Sequence, residues 1–152
     1  MSDQILIKVK RLSNEFSDIE LPAYATEGSA GMDIRAAVTD EMILEPAKVA
    51  LVPTNISVEI PKGYEIQVRP RSGLAANNSI GILNSPGTID SDYRGEIKII
   101  MMNFGSEPFV IHRGDRIAQL IVSKVYQAKI IESDNLNSSL RGEGGFGHTG
   151  KK

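Results

Sequence analysis

The chain has no cysteine and no tryptophan, only two histidines, and aromatic residues fill 5% of its 152 positions. Without thiols there is no disulfide framework, no thiolate metal site and no cysteine nucleophile, and a reducing cytoplasm suits the chain. No run of about 18 apolar residues occurs, and the N-terminal MSDQILIKVKRL has no long apolar run behind a basic start. The chain is therefore predicted to be neither exported nor membrane-spanning, which leaves sequons such as Asn55-Ile56-Ser57 idle. Excess charge of one sign is also missing. A net charge of −2 and a pI near 5.7 argue against a broad basic face for nucleic acid polymers, so any anionic ligand must be met locally.

What the chain does have is a 41% hydrophobic content, enough at this length for one domain with a sizeable core. The apolar residues recur with period two: Ile5, Ile7 and Val9; Ile66 and Val68; Ile97, Ile99 and Met101. Turn formers punctuate these runs at Pro61-Lys62-Gly63, Pro86-Gly87, Gly105-Ser106-Glu107-Pro108 and Arg113-Gly114-Asp115. Many short strands with frequent turns predict an all-β sandwich, jelly roll or barrel. One exception is RSGLAANN from Arg71, where Ser72 is expected to cap a helix of one or two turns. The body is expected to span residues 1–137, with 138–152 a flexible Gly-rich tail.

Five segments have features suited to phosphate or base recognition. GTIDSDYRGEI (Gly87 to Ile97) crowds carboxylates at the mouth of a strand, with Asp90 and Asp92 on one face if the arm is extended. SAGMDIRA sets Asp33 among small and apolar residues, where an ionised carboxylate needs a partner or a hydrated cation. RPRSGLA places Arg71 and Ser72 at a helix start, where free N–H groups favour an anion. RGDRIAQLIV puts the polar Gln119 in an apolar strand. RGEGGFGHTG combines unshielded backbone N–H groups with Arg141 for a phosphate and Phe146 for a planar ring.

In this order, over Ala30 to Gly150, the five segments resemble those of the homotrimeric deoxyuridine triphosphatases. The resemblance implies a β-rich jelly roll, a homotrimer with sites at subunit boundaries, and Mg²⁺-assisted conversion of dUTP to dUMP and pyrophosphate. That reaction keeps uracil out of DNA and supplies dUMP for thymidylate synthesis. By resemblance, Asp90 orients and deprotonates the attacking water, and Asp33 holds a metal-bound water. Arg71, Ser72 and Gly73 contact phosphates with Gln119 assisting, while Arg141 and the backbone from Gly147 to Thr149 close over the β- and γ-phosphates. Asn84 and the backbone near Thr88, Ile89 and Lys98, in a hairpin from Gly81 to Lys98, read uracil. Phe146 covers the base, and Tyr93 lies where a ribonucleotide carries its 2′-hydroxyl.

One departure is His148, which stands where this family commonly has Ser and could make the tail contact pH-sensitive. Two other readings compete with dUTP hydrolysis. A dCTP deaminase shares the fold but needs a general acid and base at C4, and the uracil segment has no matching acidic motif. A catalytically silent nucleotide-binding trimer would not need Asp90, Tyr93 and the whole tail.

Overall fold

The computed structural model describes residues 4–145. Within them run twelve strands and one α-helix. The first strands are β1 (Lys8–Arg11), β2 (Ala23–Tyr24), β3 (Met32–Arg35), β4 (Met42–Leu44), β5 (Val49–Pro53), β6 (Ile56–Glu59) and β7 (Tyr64–Arg69). After the helix α1 (Ser72–Asn78) come β8 (Ile80–Ile82), β9 (Gly87–Ile89), β10 (Lys98–Asn103), β11 (Phe109–Ile111) and β12 (Arg116–Lys124). The largest sheet has the order β2-β3-β12-β7-β9, a second has the order β5-β10-β8, and β1-β6 and β4-β11 form two-stranded ladders. The predicted all-β architecture is the observed one.

Period-two patterning explains the layers. Ile66 and Val68 of β7, Ile99 and Met101 of β10, and Ala118 and Leu120 of β12 all turn inward, with polar or partly exposed neighbours between them. Ile99 is fully buried, and such a side chain contributes about 1.5–3 kcal/mol relative to an exposed one. The 5–9 run behaves differently. It yields only the short β1, paired on one side to β6; Ile7 packs against the core, while Ile5 and Val9, each 37% exposed, line an open depression with Met32, Val58 and Val122.

Three local details depart from expectation. Ser72 does not cap the helix: Arg71 occupies the cap position with extended backbone and no side-chain cap bond, and Ser72 is the first helical residue. The Arg71 side chain is committed elsewhere, leaving the first-turn N–H groups without a side-chain acceptor. The turn near Pro86 falls earlier, at Leu83-Asn84, and Gly87 already begins β9. Finally, the segment from Gly81 to Lys98 is not a hairpin. β8 pairs with β10 while β9 pairs with β7, so the two arms enter different sheets.

The loops are tied down by charge. Arg113 donates to both carboxylate oxygens of Asp18, at 3.1 and 2.6 Å, and lies 4.5 Å over the Phe16 ring. The Arg113 hydrogen bond holds the Asp18 carboxyl below the usual carboxylate range. The pair therefore contributes above the ordinary carboxylate titration, and its contribution is lost as pH falls through the lowered value. Among the described residues regular structure ends at Lys124, and residues 125–143 are exposed. The expected body–tail boundary at 137/138 falls within this stretch.

Candidate active site

The divergence of β8 and β9 into separate sheets opens a cleft of about 450 Å³, within the range of small-molecule sites. Leu51 and Ile100 of one sheet and Val68 and Ile89 of the other give it apolar walls. Its polar lining includes Asn84, Thr88, Asp90, Tyr93, Glu96 and Lys98. Of the residues assigned by resemblance to the base, the sugar and the attacking water, Asn84, Thr88, Ile89, Asp90, Tyr93 and Lys98 share this cleft.

Asp90 immediately follows the end of β9, is exposed, and accepts no side-chain hydrogen bond from the described residues. Its carbonyl accepts from the Tyr93 N–H at 3.1 Å, which closes a turn through Ser91-Asp92. The arm is therefore not extended, and Asp90 and Asp92 are not a strand-like pair. Asp90 stands between the cleft and a neighbouring depression with Lys62 and Arg94, whereas Asp92 lines only the depression.

Tyr93 folds back on its own loop, its hydroxyl donating to the Glu96 carbonyl at 2.9 Å. Glu96 is not among the residues that the sequence motifs assign. One of its carboxylate oxygens accepts the Asn55 N–H at 3.0 Å and the other lies 3.6 Å from Lys98 Nζ. The Asn55 side chain in turn bridges Ser13 N–H and Ser13 carbonyl, each at 2.9 Å. The sequence signal was the i, i+2 spacing of Glu96 and Lys98; the link to Asn55 is non-local.

A second group lies elsewhere on the five-stranded sheet. Asp33, Gln119 and Arg69 stand in register across β3, β12 and β7, so one row carries all three. Asp33 keeps only 12% of its side chain exposed, and its two oxygens meet Arg71 Nε at 3.1 Å and Arg116 Nη1 at 3.3 Å. Arg71 also donates to the Arg116 carbonyl at 3.3 Å. The partner that a part-buried carboxylate requires is a pair of arginines. Arg116, like Glu96, lies outside the residues that the sequence motifs assign. Ser72 and Gly73 are exposed at the start of α1 beside this corner.

The cleft and the corner are not one pocket. Ile89 pairs with Ile66, which makes Asp90 level with Glu65, whereas the Asp33 row is level with Arg69. Three strand spacings and about four residues separate the two carboxylates, on the order of 20 Å along the sheet. Arg141 is exposed, its Nε donating to the Gly144 carbonyl at 2.6 Å, and does not line the cleft. Phe146, Gly147 and His148 lie outside the described residues.

Residues 17–150 match the dUTPase family model. A deoxyuridine 5′-triphosphate nucleotidohydrolase of Thermoanaerobacter sp. (strain X514) is 51% identical over 146 residues, covering 96% of this chain and 98% of the relative. The enzyme of the same name from Methylocella silvestris is 50% identical over 152 residues, covering 99% and 94%. Among solved structures, a Staphylococcus phage 80α dUTPase with dUpNHpp matches with a TM-score of 0.81 and 26% identity, over 95% of this chain and 98% of that one. A phage φ11 dUTPase, described with a structural Mg(II) ion, has a TM-score of 0.77 and 23% identity, over 88% and 99%.

Proposed function

The chain belongs to the dUTPase family, and from that premise we propose that it hydrolyses dUTP to dUMP and pyrophosphate. The observation that carries the reading is Asp90 beside Tyr93 at a cleft of nucleoside size with a mixed polar and apolar lining. The Asp90 carboxylate takes a proton from a water whose oxygen forms a bond to the α-phosphorus. The bond from that phosphorus to the bridging oxygen breaks, and pyrophosphate leaves. A carboxylate is a weak base, so alignment of the water and neutralisation of the triphosphate supply most of the acceleration.

Asn84 and backbone groups near Thr88, Ile89 and Lys98 would present hydrogen-bonding groups to the uracil edge, which a cytosine would leave mispaired. Sites of this kind discriminate by about 10⁴–10⁵. Tyr93 would bar a 2′-hydroxyl. Arg71 and the start of α1 would take phosphates, with Gln119 assisting and Arg141, Phe146 and Gly147 closing from the tail.

Whether Mg²⁺ fits can be judged from the donors. Among the described residues no three His, Cys, Asp or Glu side chains gather as a direct metal cage, and both Asp33 oxygens already accept from arginines. That donor set fits a cation carried by the phosphates and its own waters, with Asp33 accepting a hydrogen bond from one of those waters. Bound there, the cation would neutralise phosphate charge. The chain's own part is to hold Asp33 in place with Arg71 and Arg116.

A homotrimer explains why cleft and corner stand apart: each complete site would join the cleft of one copy to the Asp33–Arg71 corner of another. The arm after β12 supports self-association, since Tyr126, Ile130, Ile131 and Leu136 are 75–91% exposed, an unusual run for a free surface. Pyrophosphate release from dUTP, UTP, dCTP and dTTP, each with and without Mg²⁺, tests the activity. Release confined to dUTP is expected, and ammonia from dCTP would support the deaminase reading instead. Sharing is tested by complementation. Asp90→Asn and Arg71→Ala chains, each impaired alone, should regain activity when unfolded together and refolded as mixed trimers; no gain would place both residues in one chain's site. No helix among the described residues is long and apolar enough to cross a membrane. The proposed location is the cytoplasm.

A further inference from the structure

Beyond the residues assigned above, we infer that Gly95 is a positioning residue that sets sugar specificity by leaving room for the folded-back Tyr93 ring. The inference rests on the proposed placement of Tyr93 against the deoxyribose. A Cβ built on Gly95 would overlap the Tyr93 hydroxyl and stand 2.6 Å from its Cζ and 2.9 Å from its Cε2. Its three nearest neighbours are all atoms of this one ring. Gly95 is not among the glycines with positive φ, so no left-handed backbone conformation demands glycine there. Space for the ring, rather than backbone freedom, is what the missing side chain provides.

The ring cannot absorb such a methyl where it stands. Its hydroxyl is anchored to the Glu96 carbonyl at 2.9 Å, so the fold-back is closed at both ends, by the chain at Tyr93 and by the hydrogen bond at Glu96. The outer side of the ring is open, with Tyr93 45% exposed and lining the cleft. A methyl at position 95 therefore breaks the hydroxyl bond and drives the ring outward, away from the fixed position from which it would exclude a 2′-hydroxyl. What remains is an apolar surface, and apolar surfaces reject an added hydroxyl by only about 10².

The test compares kcat/KM for dUTP and UTP in the native trimer, Gly95→Ala, Tyr93→Ala and the double variant, with Tm measured for each. The native ratio is expected to fall at least about tenfold in Gly95→Ala, toward the apolar limit. In the Tyr93→Ala background, Gly95→Ala should change the ratio no further, and any loss of Tm in the single Gly95 variant should be relieved, because the clashing partner is gone. An unaltered ratio in Tyr93→Ala would refute the placement of Tyr93. A lowered ratio there with an unaltered one in Gly95→Ala, or a Gly95 effect that persists without the ring, would refute the positioning role alone.

Discussion

Asp90→Asn is expected to lower kcat for dUTP hydrolysis by about 10²–10⁴-fold, the usual worth of a general base, with KM and Tm almost unchanged. Asparagine keeps the size and one oxygen of the carboxylate but cannot accept the water's proton. Stability should survive because Asp90 is exposed and its carboxylate bonds to no described residue, while its carbonyl still closes the turn to Tyr93. Exposed substitutions of this sort usually lie within about ±0.5 kcal/mol. Steady-state kinetics beside thermal melting separate the possibilities. Substantially retained kcat would remove Asp90 from the base role, and a large fall in Tm would make the loss structural.

The second large effect concerns stability. Asn103 is fully buried at the end of β10, with its amide nitrogen donating to the Leu44 carbonyl at 2.9 Å and the Glu107 carbonyl at 2.7 Å. Its amide oxygen accepts the Gly105 N–H at 2.9 Å. One side chain thus joins the end of β4, the end of β10 and the loop into β11. Asn103→Ala removes three hydrogen bonds and takes the amide donor from the Leu44 carbonyl in the interior, while water can still reach the exposed Glu107. A cost of about 2–4 kcal/mol follows from the loss of three hydrogen bonds at a buried position, or roughly 5–15 °C in Tm for a chain of this size. Melting at fixed protein concentration checks it, and a shift within about 1 °C would mean the loop rearranges to satisfy those groups.

Much of the architecture could be read directly. Alternation at Ile66 and Val68, and at Ile97, Ile99 and Met101, announced buried strand faces, and Gly63 and Gly114 sit at positive φ in the turns expected of them. In the 5–9 run only Ile7 packs against the core, because alternation reports which residues could face a layer, not how closely that layer covers each of them. Ser72 misled at the helix cap because a hydroxyl's preference is local, while Arg71 is drawn to Asp33 from 38 residues away.

By itself the sequence determined residue types, strand periodicity and turn chemistry, since these follow from φ/ψ preferences and side-chain alternation within a few positions. It also determined which short segments match a known nucleotide hydrolase family. Only the tertiary structure decided that the arms flanking Asn84 enter different sheets and open a cleft, and that Asp33 is clasped by two arginines. It alone set the cleft apart from the Asp33 corner and laid the Tyr93 ring over Gly95. Most of these depend on contacts between residues tens of positions apart, whose geometry is set by packing and register. The ring over Gly95 is close in sequence but depends on a side-chain rotamer, and no local pattern encodes either.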